Sequence, residues 1–245
     1  MDQDLRGQAG IVTGAGKGIG AAIAAELASL GASVVACART LADVEHVVAE
    51  ISAAGGVAIA MAGDVRRYGD MERLAQTCEE TYGRLDFAVP NAGIVVQGNM
   101  AEGDPEQWAT LIETNVLGTA FTVRASLPIM KRSGHGHIVI VSSQSGRVTY
   151  TGEPMYVASK WALSGLGGAL RKEASAYGVR VTLIEPGTVD TPMVRATEEG
   201  RAELARYTAI SSEDCARAVA FALCQPANVC VTQLGLLSLE QVDYS

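Results

Sequence analysis

Ala9-Gly10-Ile11-Val12-Thr13-Gly14-Ala15-Gly16-Lys17-Gly18-Ile19-Gly20 is the stretch that decides how the chain is read. Residues 9–13 are short and apolar, as a buried strand is. Four glycines follow within seven residues. An Ala/Ile/Leu-rich segment then runs to about Leu30, and Gly31 stops it. Strand, glycine turn and helix are the context a phosphate-binding loop requires. The glycines permit a tight turn and bring backbone N–H groups close to an anion, while the helix N-terminus adds partial positive charge. The spacing Gly14, Gly18, Gly20 gives Gly-x-x-x-Gly-x-Gly, not the commoner Gly-x-Gly-x-x-Gly. A glycine turn without a ligand is the plain alternative.

The same alternation continues outward. Strands are expected over 33–37, 57–61, 85–89, 138–141, 179–184 and 230–237. Helices are expected over 41–54, from 69 or 70 to 82, over 154–177 and from Ser211 to about Cys224. Asp104-Pro105 opens a further helix, expected to run unbroken towards Met130 with Asn115 in its middle. Strand–helix alternation throughout predicts one α/β domain over 1–245, a Rossmann-like, doubly wound parallel sheet flanked by helices. Residues 193–208 are charged and less regular, so about 188–208 reads as a mobile lid over a substrate.

Composition narrows the function. The chain has 245 residues, 48% hydrophobic and 19% charged, enough apolar content for a substantial core. A net charge of −8 argues against nucleic-acid binding through a broad basic surface, but not against a small anion held by local cations. The five cysteines are odd in number and form no Cys-x-x-Cys, as free thiols in a reducing compartment do. Met1-Asp2-Gln3-Asp4 lacks a signal-peptide pattern, and no apolar run approaches the ~20 residues of a membrane span. The expectation is a cytoplasmic protein without a membrane partner. His135 and His137 sit in Gly134-His135-Gly136-His137 with no Cys or Glu cluster, so a solvated turn is expected and no metal.

Chemistry gathers around Tyr156-Val157-Ala158-Ser159-Lys160. Positions four apart share a helix face, which puts a phenol beside an ammonium. A free phenol has a pKa near ~10, and a neighbouring cation lowers it, making tyrosine usable as a general acid or base. An exposed amphipathic pair is the bland alternative. Upstream, Ser143 follows an apolar strand directly. Nucleotide folds place an acid about 20 residues after the glycines to bind a ribose; here stands Cys37-Ala38-Arg39-Thr40, with the first acid at Asp43. Arg39 and Lys17 without a carboxylate favour a 2′-phosphate, hence NADP(H). Asn91 and Asn115 each read equally as a satisfied structural amide or as a functional group.

In order and spacing these pieces resemble the short-chain dehydrogenase/reductase family over essentially the whole chain. Thr13-Gly14-x-x-x-Gly18-Ile19-Gly20 looks like its cofactor loop, Asp64-Val65 like the segment beside adenine, and Asn91-Ala92-Gly93 like its Asn-Ala-Gly turn. Asn115, Ser143, Tyr156 and Lys160 match its catalytic tetrad. Pro186-Gly187 matches the motif beneath the nicotinamide, and Thr188, Val189 and Thr191 fall in the segment that usually meets the carboxamide. The resemblance implies hydride transfer between NADP(H) and a carbonyl or secondary alcohol. Tyr156 would move the proton and Ser143 would bind the substrate oxygen. Lys160 would tune Tyr156 and hold the ribose, and Asn115 would hold a water that links Lys160 to solvent. Gln144 and Met193 are expected to touch substrate, within a pocket that also draws on Val95, Val96, Ser145, Glu153 and Met155. Glu153 is expected to face solvent, with recognition of a hydroxyl or amine as the alternative. Family habit and the small residues Ala158, Ala162, Gly165, Gly167 and Gly168 imply a homodimer or homotetramer. Two departures stand out: Pro90 replaces the usual first Asn of Asn-Asn-Ala-Gly, and the C-terminus lacks Asp-Gly-Gly. The end of the chain looks loosely similar to a branch acting on hydroxy acids and small alcohols. A non-catalytic dinucleotide-binding sensor or scaffold of the same fold is the competing reading. An epimerase or dehydratase usually needs a larger substrate domain.

Overall fold

Each strand is followed by a segment long enough to carry the chain back across the sheet, which permits parallel pairing throughout. The computed structural model describes residues 4–242. Its strands are β1 (Ala9–Thr13), β2 (Ser33–Ala38), β3 (Val57–Ala62), β4 (Phe87–Val89), β5 (Gly136–Val141), β6 (Val179–Pro186) and β7 (Gln233–Leu236). All pair in parallel, in the order β3-β2-β1-β4-β5-β6-β7. The helices are α1 (Gly18–Ser29), α2 (Leu41–Ala53), α3 (Tyr68–Tyr82), α4 (Pro105–Ile112), α5 (Gly118–Ser133), α6 (Pro154–Ala174), α7 (Pro192–Arg195), α8 (Glu198–Leu204) and α9 (Ser212–Leu223).

Successive strand residues point to opposite faces, and both faces are covered. Val12, Val34, Ala36, Val89 and Ile184 pack with α1, α2 and α9. Ile11, Val35, Ala88, Ile138, Ile140 and Leu183 pack with α3, α5 and α6. Burial on both sides explains why these strands are apolar almost without alternation.

Asp86 gathers the entering ends of the central strands. Its carboxylate accepts from the Ala9 N–H at 2.8 Å and from Arg84, and His135 Nε2 lies 3.0 Å away. Burial raises its pKa, but these partners outweigh that and leave it below the usual carboxylate range.

Two expectations are corrected. The helix from residue 105 is not unbroken. Glu113–Leu117 form a π-helical turn between α4 and α5. Hydroxyls brace it, Thr114 Oγ1 donating to Thr110 O and Thr119 Oγ1 to Asn115 O. The widened turn leaves Asn115 1% exposed. The second correction concerns His137, which is not in a solvated turn. Pairing of Gly136 and His137 with β6, and the His137 N–H bond to Asp86 O, draw them into β5. His137 Nε2 lies 2.7 Å from Thr182 Oγ1, whose own proton goes to Val231 O, so the imidazole donates from Nε2. Its Nδ1 is buried without a partner. The segment 193–208, expected to be irregular, contains α7 and α8, capped by Thr191 and Thr197.

Burial, and then the charge of Arg180, push the His137 pKa down to about 3. The unfolded chain therefore binds a proton that the folded chain refuses. This term leaves stability intact above ~6.5 and removes about 1.4 kcal/mol per pH unit as pH falls below it, down to about 3. Urea unfolding at pH 7 and pH 5 is expected to show His137→Gln losing less stability than the parent. An identical loss in both would assign the acid sensitivity elsewhere.

Candidate active site

Strand order reverses between β1 and β4, and loops leaving their carboxyl ends diverge to open a crevice. Side chains stitch its floor. Thr13 Oγ1 accepts from the N–H groups of Asn91 at 3.1 Å and Ala92 at 3.2 Å. Asn91 Nδ2 donates back to Thr13 O at 2.9 Å. The Asn91 side chain thus holds strand ends, the structural reading of that residue. Pro90 fits this corner because its carbonyl is the group used, accepting from the Val141 N–H.

The glycine loop lies against the stitch. Gly14 takes a positive φ of 67°, and a Cβ on Gly20 would overlap the Gly14 carbonyl and the Asn91 amide. Helix α1 can therefore start tight against the turn, with its first N–H groups at the cleft. Gly14, Lys17, Gly18, Ile19 and Gly20 line the cleft on this side, and Arg39, Asp64 and Val65 at the far end. Asn91, Ala92, Gly93, Tyr156, Lys160, Thr191 and Met193 complete the expected lining. Asp64 is paired with Arg66 at 2.6 Å, which holds its pKa down.

Tyr156 and Lys160 share a face of α6, with Lys160 Nζ 5.5 Å from the centre of the Tyr156 ring. Lys160 is buried, and its Nζ donates to Val141 O at 3.4 Å. Burial pushes its pKa down to about 8. Ser143 follows β5, as expected. Its Oγ accepts from the Ser145 N–H and lies 3.1 Å from Ser145 Oγ, which in turn meets Tyr150 OH. The Asn115 side chain is wholly engaged. It accepts from the Ile94 N–H at 2.8 Å, donates to Ile94 O at 2.9 Å and reaches Ser159 Oγ at 3.1 Å. Ser159 Oγ donates to Tyr156 O, so Asn115 ties the 91–94 turn to the helix that carries Tyr156.

Several expected residues stand elsewhere. Asn115, Ser143, Pro186, Gly187 and Val189 stand outside the cleft lining; the Pro186 carbonyl lies 3.5 Å from Ser143 Oγ. Gln144 is buried and turned away, its Nε2 donating to Glu185 O at 3.0 Å. Glu153 does not face solvent freely. It is half-buried, and burial, then the charge of Glu203, push its pKa up to about 7. Ile94, Thr114, Val141 and Ser142 line the cleft without having been expected there. Ser142 ends a strand beside Ser143, a signal that could have found it. Among the described residues no His/Cys/Asp/Glu group could hold a metal, and no helix is long and apolar enough to cross a membrane.

This arrangement has clear relatives. Residues 8–202 match the short chain dehydrogenase family. An uncharacterized oxidoreductase of Staphylococcus saprophyticus is 34% identical over 232 residues, covering 94% of this chain and 97% of that protein. A metagenomic short-chain oxidoreductase solved in complex with NADP is 34% identical, with a TM-score of 0.82 over 95% of this chain and 97% of that one. An alcohol dehydrogenase of the archaeon Thermococcus sibiricus, complexed with 5-hydroxy-NADP, is 29% identical, with a TM-score of 0.87 over 96% of this chain and 97% of that one. Sheet order, glycine loop and matched length agree, and the chain belongs to the short-chain dehydrogenase/reductase family of oxidoreductases.

Proposed function

We propose that the protein interconverts a carbonyl and a secondary alcohol with NADP(H), using Tyr156 as general acid and base. One observation carries this reading: the glycine loop and the Tyr156–Lys160 pair open into the same cleft. The residues present suit a dinucleotide. The close-packed Gly14–Gly20 turn and the first amides of α1 form an anion cradle. Lys17 and Arg39 line the same cleft and could pair with a 2′-phosphate, and Ala38 and Thr40 leave no acid at the end of β2 to repel it. NADP and 5-hydroxy-NADP bound to the two solved relatives support the same choice.

When bound, the nicotinamide supplies the hydride. Tyr156 gives its proton to the substrate oxygen in reduction and takes it back in oxidation. Lys160 favours the phenolate by its charge and holds the ribose. Ser143 has one proton to give, and the substrate oxygen takes it from Ser145 as negative charge develops. Asn115 acts through position, because its amide already spans Ile94 and Ser159. Segment 188–208 serves as the lid, and Met193 meets the substrate from it. Trp161, Ala162, Gly165 and Gly168 form an exposed stripe on α6 that supports a homodimer or homotetramer.

Tyr156→Phe is expected to cut turnover at least ~10²-fold while NADPH still binds. A variant keeping more than about a tenth of the rate would remove Tyr156 as the proton donor. A ketone and alcohol screen with NADPH, read by nicotinamide absorbance, supplies the substrate; binding without turnover on every compound would instead support a sensor. Arg39→Asp is expected to swing preference from NADPH towards NADH, and unchanged discrimination would end the 2′-phosphate assignment. Burying Lys160 as a cation costs up to about 3 kcal/mol at neutral pH, a penalty that fades as pH rises above the folded value of about 8 and is gone above the unfolded value of 10.5. Lys160→Met is therefore expected to raise the thermal midpoint while abolishing turnover. A lower midpoint would show that the ammonium stabilises the fold.

A further inference from the structure

Gly187 does not line the cleft, yet a side chain there would displace its neighbours. A Cβ would overlap Gln241 Oε1 and press on Leu237, both from the tail beyond β7. Gln241 is 3% exposed, unusual for a polar residue in a segment beyond the last strand. Its Nε2 donates to Thr188 Oγ1 and to Tyr207 OH, each at 3.0 Å, and its Oε1 accepts from the Thr188 N–H at 3.3 Å. Both hydroxyls then donate to Glu203 Oε1, each at 2.6 Å. The two hydroxyls also lie 2.8 Å from each other, which makes the four side chains one connected network. Two further bonds run beside it: the Gly187 N–H to Leu236 O, and the Thr208 N–H to Glu240 Oε2 at 2.7 Å. Tail residues 240 and 241 thus hold both ends of segment 188–208, while Leu236 of β7 fixes Gly187 just before it.

We propose that Gln241 is a positioning residue of the active site: its carboxamide clasps the two ends of the lid together, and so fixes how Thr191 and Met193 meet the cleft. The glycine of Pro186-Gly187 is explained by the same contact, as the space the clasp occupies. The inference rests on the reading of 188–208 as the lid of a dinucleotide cleft.

Trypsin reports on the clasp without requiring catalysis, because Arg195, Arg201 and Arg206 lie inside the lid. In the full chain without cofactor, Gln241→Ala is expected to speed cleavage at these arginines about tenfold, with the remaining sites unaffected. Tyr207→Phe, which removes one hydroxyl and leaves the ring, is expected to act in the same direction. The double variant should be cleaved no faster than the faster single one, as members of one network behave. Leu239→Ser, a change to a fully exposed tail residue, should match the parent. Lid cleavage at the parental rate in both Gln241→Ala and Tyr207→Phe would overturn the proposal. So would acceleration at every arginine of the chain, which marks general unfolding. NADPH fluorescence titration then tests positioning: Gln241→Ala should bind NADPH several-fold more weakly, and equal affinity despite a loosened lid would overturn that role. If the parent itself fails to bind NADPH, the cofactor reading falls, while the cleavage rates still decide whether the clasp exists.

Discussion

The Thr13 hydroxyl accepting from two successive N–H groups of Asn91 and Ala92 is the interaction on which the site depends. Reversal of strand order parts the loops at this seam, so no backbone ladder can close it. Short side chains close it instead, and that keeps the crevice floor rigid while leaving its mouth open. The glycine turn rests on the result: Gly20 packs against both Gly14 and the Asn91 amide because it has no Cβ. An anion cradle made of backbone has no side chains to adjust, so its precision is inherited from the strand ends beneath it.

The fold bears an electrostatic cost at the cleft. Lys160 is buried with a weak bond to Val141 O, and burial draws its pKa down towards neutrality. A well-packed apolar side chain would suit that position better in the absence of a ligand. Around it the polar groups are satisfied by design of position: Asn115 spans two elements, and Ser159 carries that link to the backbone of Tyr156. The cleft therefore combines one group held in tension with several that are locked, the pattern expected of a preorganised site.

Much of this was legible in the chain because it depends on local rules. Glycine spacing, apolar strands and helix caps report nearest neighbours, and they located the sheet, the loop and the face shared by Tyr156 and Lys160. What escaped notice depends on contacts between distant segments. The π-turn at Glu113–Leu117 has helix on both sides and no proline inside it, so the segment reads as one helix. His137, flanked by glycine, looks solvated until the register of β5 with β6 is known. Gln144 follows Ser143 in sequence, but its amide turns onto the backbone of β6, a contact 41 positions away. Gln241 lies in a tail with no periodicity to read, and only the folded chain brings it to Thr188.

The two stitches at either end of β4 bear on the order in which the chain assembles. Strand β4 is only three residues long although it sits near the middle of the sheet. At its start Asp86 reaches Ala9, and at its end Asn91 reaches Thr13, contacts spanning 77 and 78 positions of sequence. During synthesis β1, β2 and β3 can pair as they emerge, but β1 then presents an unpaired inner edge until residues 86–91 arrive. Loop-closure entropy must be met before that edge is covered, so joining of the two half-sheets rests on contacts far apart in sequence. The nascent chain is thus most exposed to mispairing while its nucleotide loop is already made and its seam is not.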